Sequence, residues 1–180
     1  MNQPITFLIW TENSPGVLLR LTGLFTRRKI NVESLTVSTT EVSGISRFTV
    51  TVAVDPIVAA TIGRQIERMI EVRRVFAFTE SEIMHREVAL VRAEISQEFE
   101  ATLLAKFPCA LVLHRGAKGA LIQVTGTEEE ISSVVTELEP YSVTEFVRSG
   151  RIAVTPAGDY RSDLAHSLHA LRPTAVEGPW

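Results

Sequence analysis

Cysteine is almost absent from this chain. Cys109 is the single one in 180 residues, so no internal disulfide framework can hold it together, and such sparse use fits a reducing compartment. Long apolar runs are missing too: none approaches the roughly 18 residues of a membrane-spanning helix. The N-terminus lacks the basic region and apolar stretch of a secretory signal. Together these absences predict a cytoplasmic protein with no membrane partner. An excess of positive charge is also lacking. Eighteen basic residues stand against 21 acidic ones, for a net charge of −3 and no basic block, which argues against a nucleic-acid partner. What the chain does have is apolar content, with 45% hydrophobic residues and a mean hydropathy of +0.16. That is high without a membrane segment, and it points to surface buried against another protein. The length suits one medium domain or two small ones, either with a real core.

The pattern along the chain favours two domains. "ITFLIWT" (5–11) is rich in β-branched and aromatic residues and reads as a strand. From Pro15 to Arg28, Val17, Leu18, Leu21, Leu24 and Phe25 recur at helical spacing, with Arg20, Arg27 and Arg28 on the other face. "INVESLTVSTT" (30–40) alternates as a half-buried strand does, "EVSG" (41–44) supplies a turn, and "SRFTVTVAV" (46–54) returns as a strand. Asp55-Pro56 opens a second helix, over which Ile57, Ile62, Ile66, Met69 and Ile70 repeat, and "VRRVFAFTES" (72–81) is a fourth strand. The order β-α-β-β-α-β within about eighty residues is the split βαβ, or ferredoxin-like, arrangement. It then recurs. Strands are predicted at 86–95, 109–115, 119–126 and 141–154, the last being one strand or a pair, with helices at 98–107 and 127–140. Thr127 is the expected N-cap of the last helix, with acidic residues in its first turn. The fold class is therefore α+β, two ferredoxin-like βαββαβ domains in tandem. The boundaries fall at 1–82 and 83–155, followed by a tail at 156–180 with a short helical possibility at 162–171.

Ser14-Pro15-Gly16 stands between the first strand and the first helix. Ser14 fits an N-cap, and Pro15 fits the first helical position, where its missing N–H costs nothing. Gly16 inside the first turn needs another reason, because glycine in a helix costs roughly 0.5–1 kcal/mol relative to alanine. Close approach of a ligand is one such reason. Without a Cβ the free first-turn amides lie open, and they favour an anion such as a carboxylate. Asn13 beside them offers both a donor and an acceptor. The same residues also read as a plain strand-to-helix turn, and the pattern alone leaves both readings open.

"ENSPGVLLRLTGLFTRRKINVESLTV" (12–37) resembles the opening motif of the small, regulatory subunits of acetohydroxyacid (acetolactate) synthase, an ACT-domain family. The resemblance continues in order through "SRFTVTV" (46–52), "HREVALV" (85–91), "VTGTEEEI" (124–131) and "RSG" (148–150), covering about residues 3 to 154. It implies that the first domain is an ACT domain and that the chain is a non-catalytic subunit. The implied partner is a large catalytic subunit whose thiamine diphosphate and magnesium condense pyruvate in branched-chain amino acid synthesis, so this chain needs no cofactor of its own. The small subunit would raise that activity and confer inhibition by an end product, valine being the usual one. ACT halves would pair across a homodimer with effector sites at the seam. Position by position, the resemblance implies an effector site at Asn13, the Pro15-Gly16-Val17-Leu18 turn and Asn31, the last from the partner chain. Amides at Gly16 to Leu18 would take the effector's carboxylate, the two asparagines its ammonium, and Leu18, Ile30 and Val32 a branched aliphatic tail. Four departures from the family pattern stand out: Lys29 where glycine is usual, Leu19 where a small residue is common, His114-Arg115 in place of an acidic residue, and Thr155-Pro156-Ala157-Gly158 where an Arg-Gly ending is usual.

Other chemistry is poorly supported. Asp163, His166 and His169 read as a solvated helix face, because three-residue steps on a helix each turn by about 300°. His85 and His114 are isolated, and Cys109 after Pro108 reads as a buried, inert thiol. "GAKG" (116–119) lacks the spacing of a phosphate-binding loop and reads as a hairpin turn. "EEE" (128–130) reads as a helix N-terminus rather than a cation site. No nucleophile, base and oxyanion donor assemble, so an enzyme is not expected. The alternative function is a free-standing ACT-type amino-acid sensor acting on some other partner. An RNA-binding ferredoxin-like domain would need exposed aromatics on its middle strands, and Phe48 is the lone candidate.

Overall fold

A computed structural model describes residues 2–116 and 119–156. The described residues divide into two compact units, one built on residues 2–84 together with residues 153–156, the other comprising His85–Ile152. The predicted helix at 162–171, the rest of the tail, and Asp163, His166 and His169 lie outside the described residues.

The first unit runs β1 (Gln3–Glu12), α1 (Val17–Arg27), β2 (Ser34–Thr39), β3 (Ile45–Val54), α2 (Pro56–Glu67) and β4 (Val72–Thr79), then a 3-10 turn at Glu80–Glu82. Its antiparallel sheet has the order β2-β3-β1-β4, the ferredoxin-like topology. β1 and β3 pair over their whole length, from Gln3 opposite Val54 to Glu12 opposite Ile45. Side chains alternate across a strand. Ile5, Phe7 and Ile9 with Phe48, Val50 and Val52 therefore share one face, and that face packs on Val17, Leu21 and Phe25 of α1 and on Ala59, Ile62 and Ile66 of α2. The opposite face of β1 is buried as well. Leu8 and Trp10 pack with Ile45, Ile83, Phe76 and Phe78, and the Thr6 and Thr51 hydroxyls meet there at 3.2 Å. Burial on both faces is why "ITFLIWT" reads as a continuous apolar run instead of an alternating one. α2 opens as its sequence indicates, with Asp55 accepting from the Ile57 amide at 2.9 Å and Pro56 in the first helical position.

The second unit repeats the order with β5 (Met84–Ala93), α3 (Gln97–Lys106), β6 (Ala110–Gly116), β7 (Gly119–Gly126), α4 (Glu128–Leu138) and β8 (Val143–Arg148). Its sheet has the order β6-β7-β5-β8. Here the alternation is one-sided. Ala89, Val91 and Ala93 of β5 join Ile122 and Val124 of β7 under Leu103, Ile131, Val134 and Leu138 of the two helices. The predicted N-cap of α4 is present as a full capping box: the Glu130 amide donates to Thr127 Oγ1 at 3.3 Å, and the Thr127 amide donates to Glu130 Oε2 at 2.7 Å. Cys109 is half-buried and packs against this core, while His114 is exposed.

Candidate functional site

Gly16 is left-handed, with φ +83, and it is itself the N-cap of α1, which begins at Val17. Ser14 is not the cap and Pro15 is not the first helical residue, so the helix starts two residues later than the sequence suggests. The physical reason is the backbone. The chain leaves β1, the Asn13 amide donates to the Gly44 carbonyl at 2.8 Å, and the return into the helix needs a positive φ that Ser14 would adopt only at a cost. No side chain caps the first turn of α1. Its leading amides therefore point outward without an intrahelical or side-chain acceptor. Asn13, Ser14, Pro15 and Gly16 are all exposed, and the Asn13 side chain has no partner among the described residues. Val17 is buried in the core, so it can offer only its amide, whereas Leu18 is 42% exposed beside it.

A residue that sequence reasoning placed on the solvent face of the helix belongs to this corner. Arg20 Nη1 lies 3.0 Å from where a Cβ on Gly16 would sit. The signal was available, since helical side chains lean toward the N-terminus and cover the turn before them, and Arg20 is four residues past Gly16. Its guanidinium pairs with Glu71, whose backbone carbonyl accepts from the Glu12 amide at 2.8 Å. Arg73 pairs in turn with Glu12. The first turn thus presents free amides and a guanidinium together, both attractive to a carboxylate.

The other predicted residues sit elsewhere in the same chain. α1 has 11 residues, and at about 1.5 Å per residue it separates Gly16 from the 29–32 segment by roughly 16 Å. The sheet shows the same separation. Asn13 lies by Gly44, whereas the Glu33 amide donates to Thr51 at the other end of β3. Asn31 is exposed, with no hydrogen-bond partner among the described residues. Ile30 and Val32 are half-buried and pack on the first core. One chain therefore brings together Asn13, Pro15, Gly16, Val17 and Leu18, and it holds Ile30, Asn31 and Val32 apart from them. Lys29 has φ +56, so it keeps the left-handed conformation that suits the glycine usual there. The Lys29 and Ile30 amides close the helix end on Thr26 and Phe25 at 3.0 and 3.1 Å. Leu19 is 77% exposed and does not narrow the corner within its own chain.

In the second unit, three stretches scattered in sequence converge. Glu87, buried in "HREVALV", pairs with Arg148 of "RSG" and with Arg151, both at 3.1 Å. Glu128, at the start of "EEE", pairs with Arg151 at 2.7 Å and Arg148 at 3.4 Å. The hydrogen bond from Arg151 holds the Glu128 carboxyl below its ordinary pKa. This network ties β5, the N-terminus of α4 and the end of β8 together. The outer face of the same sheet bears an apolar row: the register aligns Leu111, Gln123, Leu90 and Val147 across four strands, and the three aliphatic members are 37–56% exposed. Among the described residues no three metal-ligating side chains come together, and no helix is long and apolar enough to cross a membrane.

Comparison with known proteins places both units. Residues 7–74 match the family model of the AHAS small subunit-like ACT domain, and residues 86–156 match that of the small subunit of acetolactate synthase. A probable acetolactate synthase small subunit of Archaeoglobus fulgidus is 35% identical over 83% of this chain and 94% of its own length. The acetolactate synthase small subunit of Bacillus subtilis is 35% identical over 78% of this chain and 84% of its own. The crystal structure of the Thermotoga maritima small subunit superposes with a TM-score of 0.78 at 25% identity, covering 85% of this chain and 97% of that one.

Proposed function

This chain belongs to the family of acetolactate synthase small subunits, and from that premise we propose that it activates a catalytic large subunit and makes it sensitive to a branched-chain amino acid, valine first among them. The large subunit would carry the thiamine diphosphate and magnesium, and the complex would work in the cytoplasm. The observation that carries the effector reading is the uncapped first turn at Gly16, where free amides lie beside the Arg20 guanidinium. An α-amino acid presents a carboxylate suited to that turn and an ammonium suited to the side-chain carbonyls of Asn13 and Asn31.

A second copy supplies what one chain separates. β2 is an edge strand, and an edge offers unpaired backbone groups to another strand. Antiparallel pairing of two β2 edges reverses one copy along the other. The Asn31 end of one β2 then lies beside the Gly44 end of its partner, where Asn13 and Gly16 sit. That geometry favours a homodimer through the ACT domains with Asn31, Ile30 and Val32 contributed from across the seam. The exposed apolar row on the second unit's sheet supports a further protein contact, in keeping with the high mean hydropathy. The match of residues 86–156 to the small-subunit model disfavours a free-standing sensor.

The test combines the purified chain with a thiamine-diphosphate-dependent acetolactate synthase catalytic subunit and measures acetolactate formation with and without valine, leucine and isoleucine. Calorimetric titration of each amino acid into the chain alone runs alongside. Raised activity, and inhibition by one of the three with matching heat, is the expected result. Unchanged activity together with no heat from any of them would reject the reading.

A further inference from the structure

The C-terminal turns of α1 and α2 line an open concavity of about 520 Å³ with Leu24, Arg27, Arg28, Gln65 and Arg68. Arg28 Nε donates to Gln65 Oε1 at 3.2 Å and ties the two helix ends together. Arg20, Arg73, Arg92, Arg115, Arg148 and Arg151 each have a glutamate partner. Arg27, Arg28 and Arg68 have none among the described residues; Arg47, Arg64 and Arg86 also lack one and bond to the Ala153 carbonyl, Thr61 and the His85 carbonyl, but Arg27, Arg28 and Arg68 stand together around one hollow. Helix dipoles account for part of this, since each C-terminus carries about half a negative charge. Two helix ends therefore offset about one of three guanidinium charges, leaving about two uncompensated around one hollow.

We propose that this hollow binds a small, multiply charged phosphate anion, with a diphosphate group as the fitting unit. Guanidinium forks match phosphate oxygens two at a time and hold them more strongly than neutral donors do. The volume falls in the range of about 300–1,000 Å³ common for small-molecule sites. The Gln65 amide adds a donor, and Leu24 gives an apolar wall to any organic group attached to the phosphates. Arg27 and Arg28 lie at the far end of α1 from Gly16, whereas Arg68 stands three residues before Glu71, the partner of Arg20.

Titration of the whole chain with inorganic diphosphate at low ionic strength tests the assignment. Saturable heat from one site per chain, weakening as salt is added, and binding about tenfold tighter than inorganic phosphate are expected from two-point contact. Arg27→Gln combined with Arg68→Gln should weaken diphosphate binding by about tenfold or more with the melting temperature unchanged. Arg86→Gln in the second unit should leave it as it was. A nucleoside diphosphate binding more tightly than diphosphate itself would assign an organic ligand that uses Leu24, and equal binding would assign the inorganic anion. Valine binding should be the same in the double variant, which keeps this result separate from the effector reading. No saturable heat, equal binding by the double variant, or displacement of diphosphate by an oligoglutamate peptide at lower concentration than by phosphate would overturn the proposal.

Discussion

Replacing Gly16 with aspartate should strongly weaken effector binding while leaving the fold in place. Two structural costs and two gains bear on stability. A left-handed residue other than glycine costs about 1 kcal/mol or more, and aspartate tolerates that region better than most. The new Cβ would meet only Arg20 Nη1 at 3.0 Å, the far end of a flexible side chain that can move. Against this, a carboxylate at the first turn of a helix gains about 0.3–1 kcal/mol, and Arg20 is there to pair with it. The net change in stability should stay within about 1 kcal/mol. Binding responds very differently. Two carboxylates about 4 Å apart at an effective dielectric near 20 repel by about 4 kcal/mol. Even with Arg20 and water absorbing half of that, valine should bind about thirtyfold more weakly, and up to about a thousandfold without such relief. Calorimetry of valine on the purified variant measures this directly, with Gly16→Ala as the companion. Alanine shares the backbone penalty and the bulk but adds no charge, so its loss should be about tenfold smaller. Valine affinity for Gly16→Asp within threefold of the parent would refute the reasoning. Equal losses in the two variants would show that bulk, not charge, governs the corner.

Three further outcomes follow from other positions. Lys29→Gly should raise stability in urea by about 0.5–1 kcal/mol, because it relieves a left-handed residue and loses only part of that gain to the freer unfolded chain. Gly119→Ala should lower stability by at least about 3 kcal/mol, since φ is +123 and an added Cβ would stand 2.2 Å from the Ala93 carbonyl oxygen and 2.7 Å from Glu94 Cα, backbone atoms that cannot move aside. Circular dichroism melts would show that loss. Glu128→Gln tests the Arg148–Arg151 network by pH. The folded-state pKa of Glu128 lies below its ordinary 4.5 because Arg151 donates to it, so its contribution is present above that value and lost as pH falls through the lower one. The parent should melt above the variant at neutral pH, and the gap should close on acidification below 4.5. A gap that persists there would reject the network's role.

The fold was legible because its signals are local or periodic. Two rounds of strand, helix, strand, strand, helix, strand follow from apolar spacing, and Asp55-Pro56 and Thr127 mark helix starts through their own side chains. The start of α1 was misplaced for the complementary reason. Its cap is a backbone conformation at Gly16, and a glycine shows that positive φ is permitted without showing where it is used. Lys29 makes the same point from the other side. Tertiary packing of Ile30 and Val32 on the core holds a left-handed residue that local preference would not choose.

The site was only half legible, and the missing half concerns distance in space rather than residue type. Asn13, Gly16 and Leu18 lie within one turn of chain, so spacing alone groups them. Arg20 joins them through side-chain direction, which follows from helix geometry once the true N-cap is known. Asn31 is another matter. Eleven helical residues set it apart in its own chain, and no spacing rule within a single sequence brings it back. Only an operation that maps one end of β2 onto the other end of a second copy can do so, and a two-fold axis at an exposed antiparallel edge is such an operation. If the effector needs both asparagines, its binding and the pairing of β2 edges become one equilibrium. Valine should then tighten the dimer by the same factor by which dimerisation tightens valine.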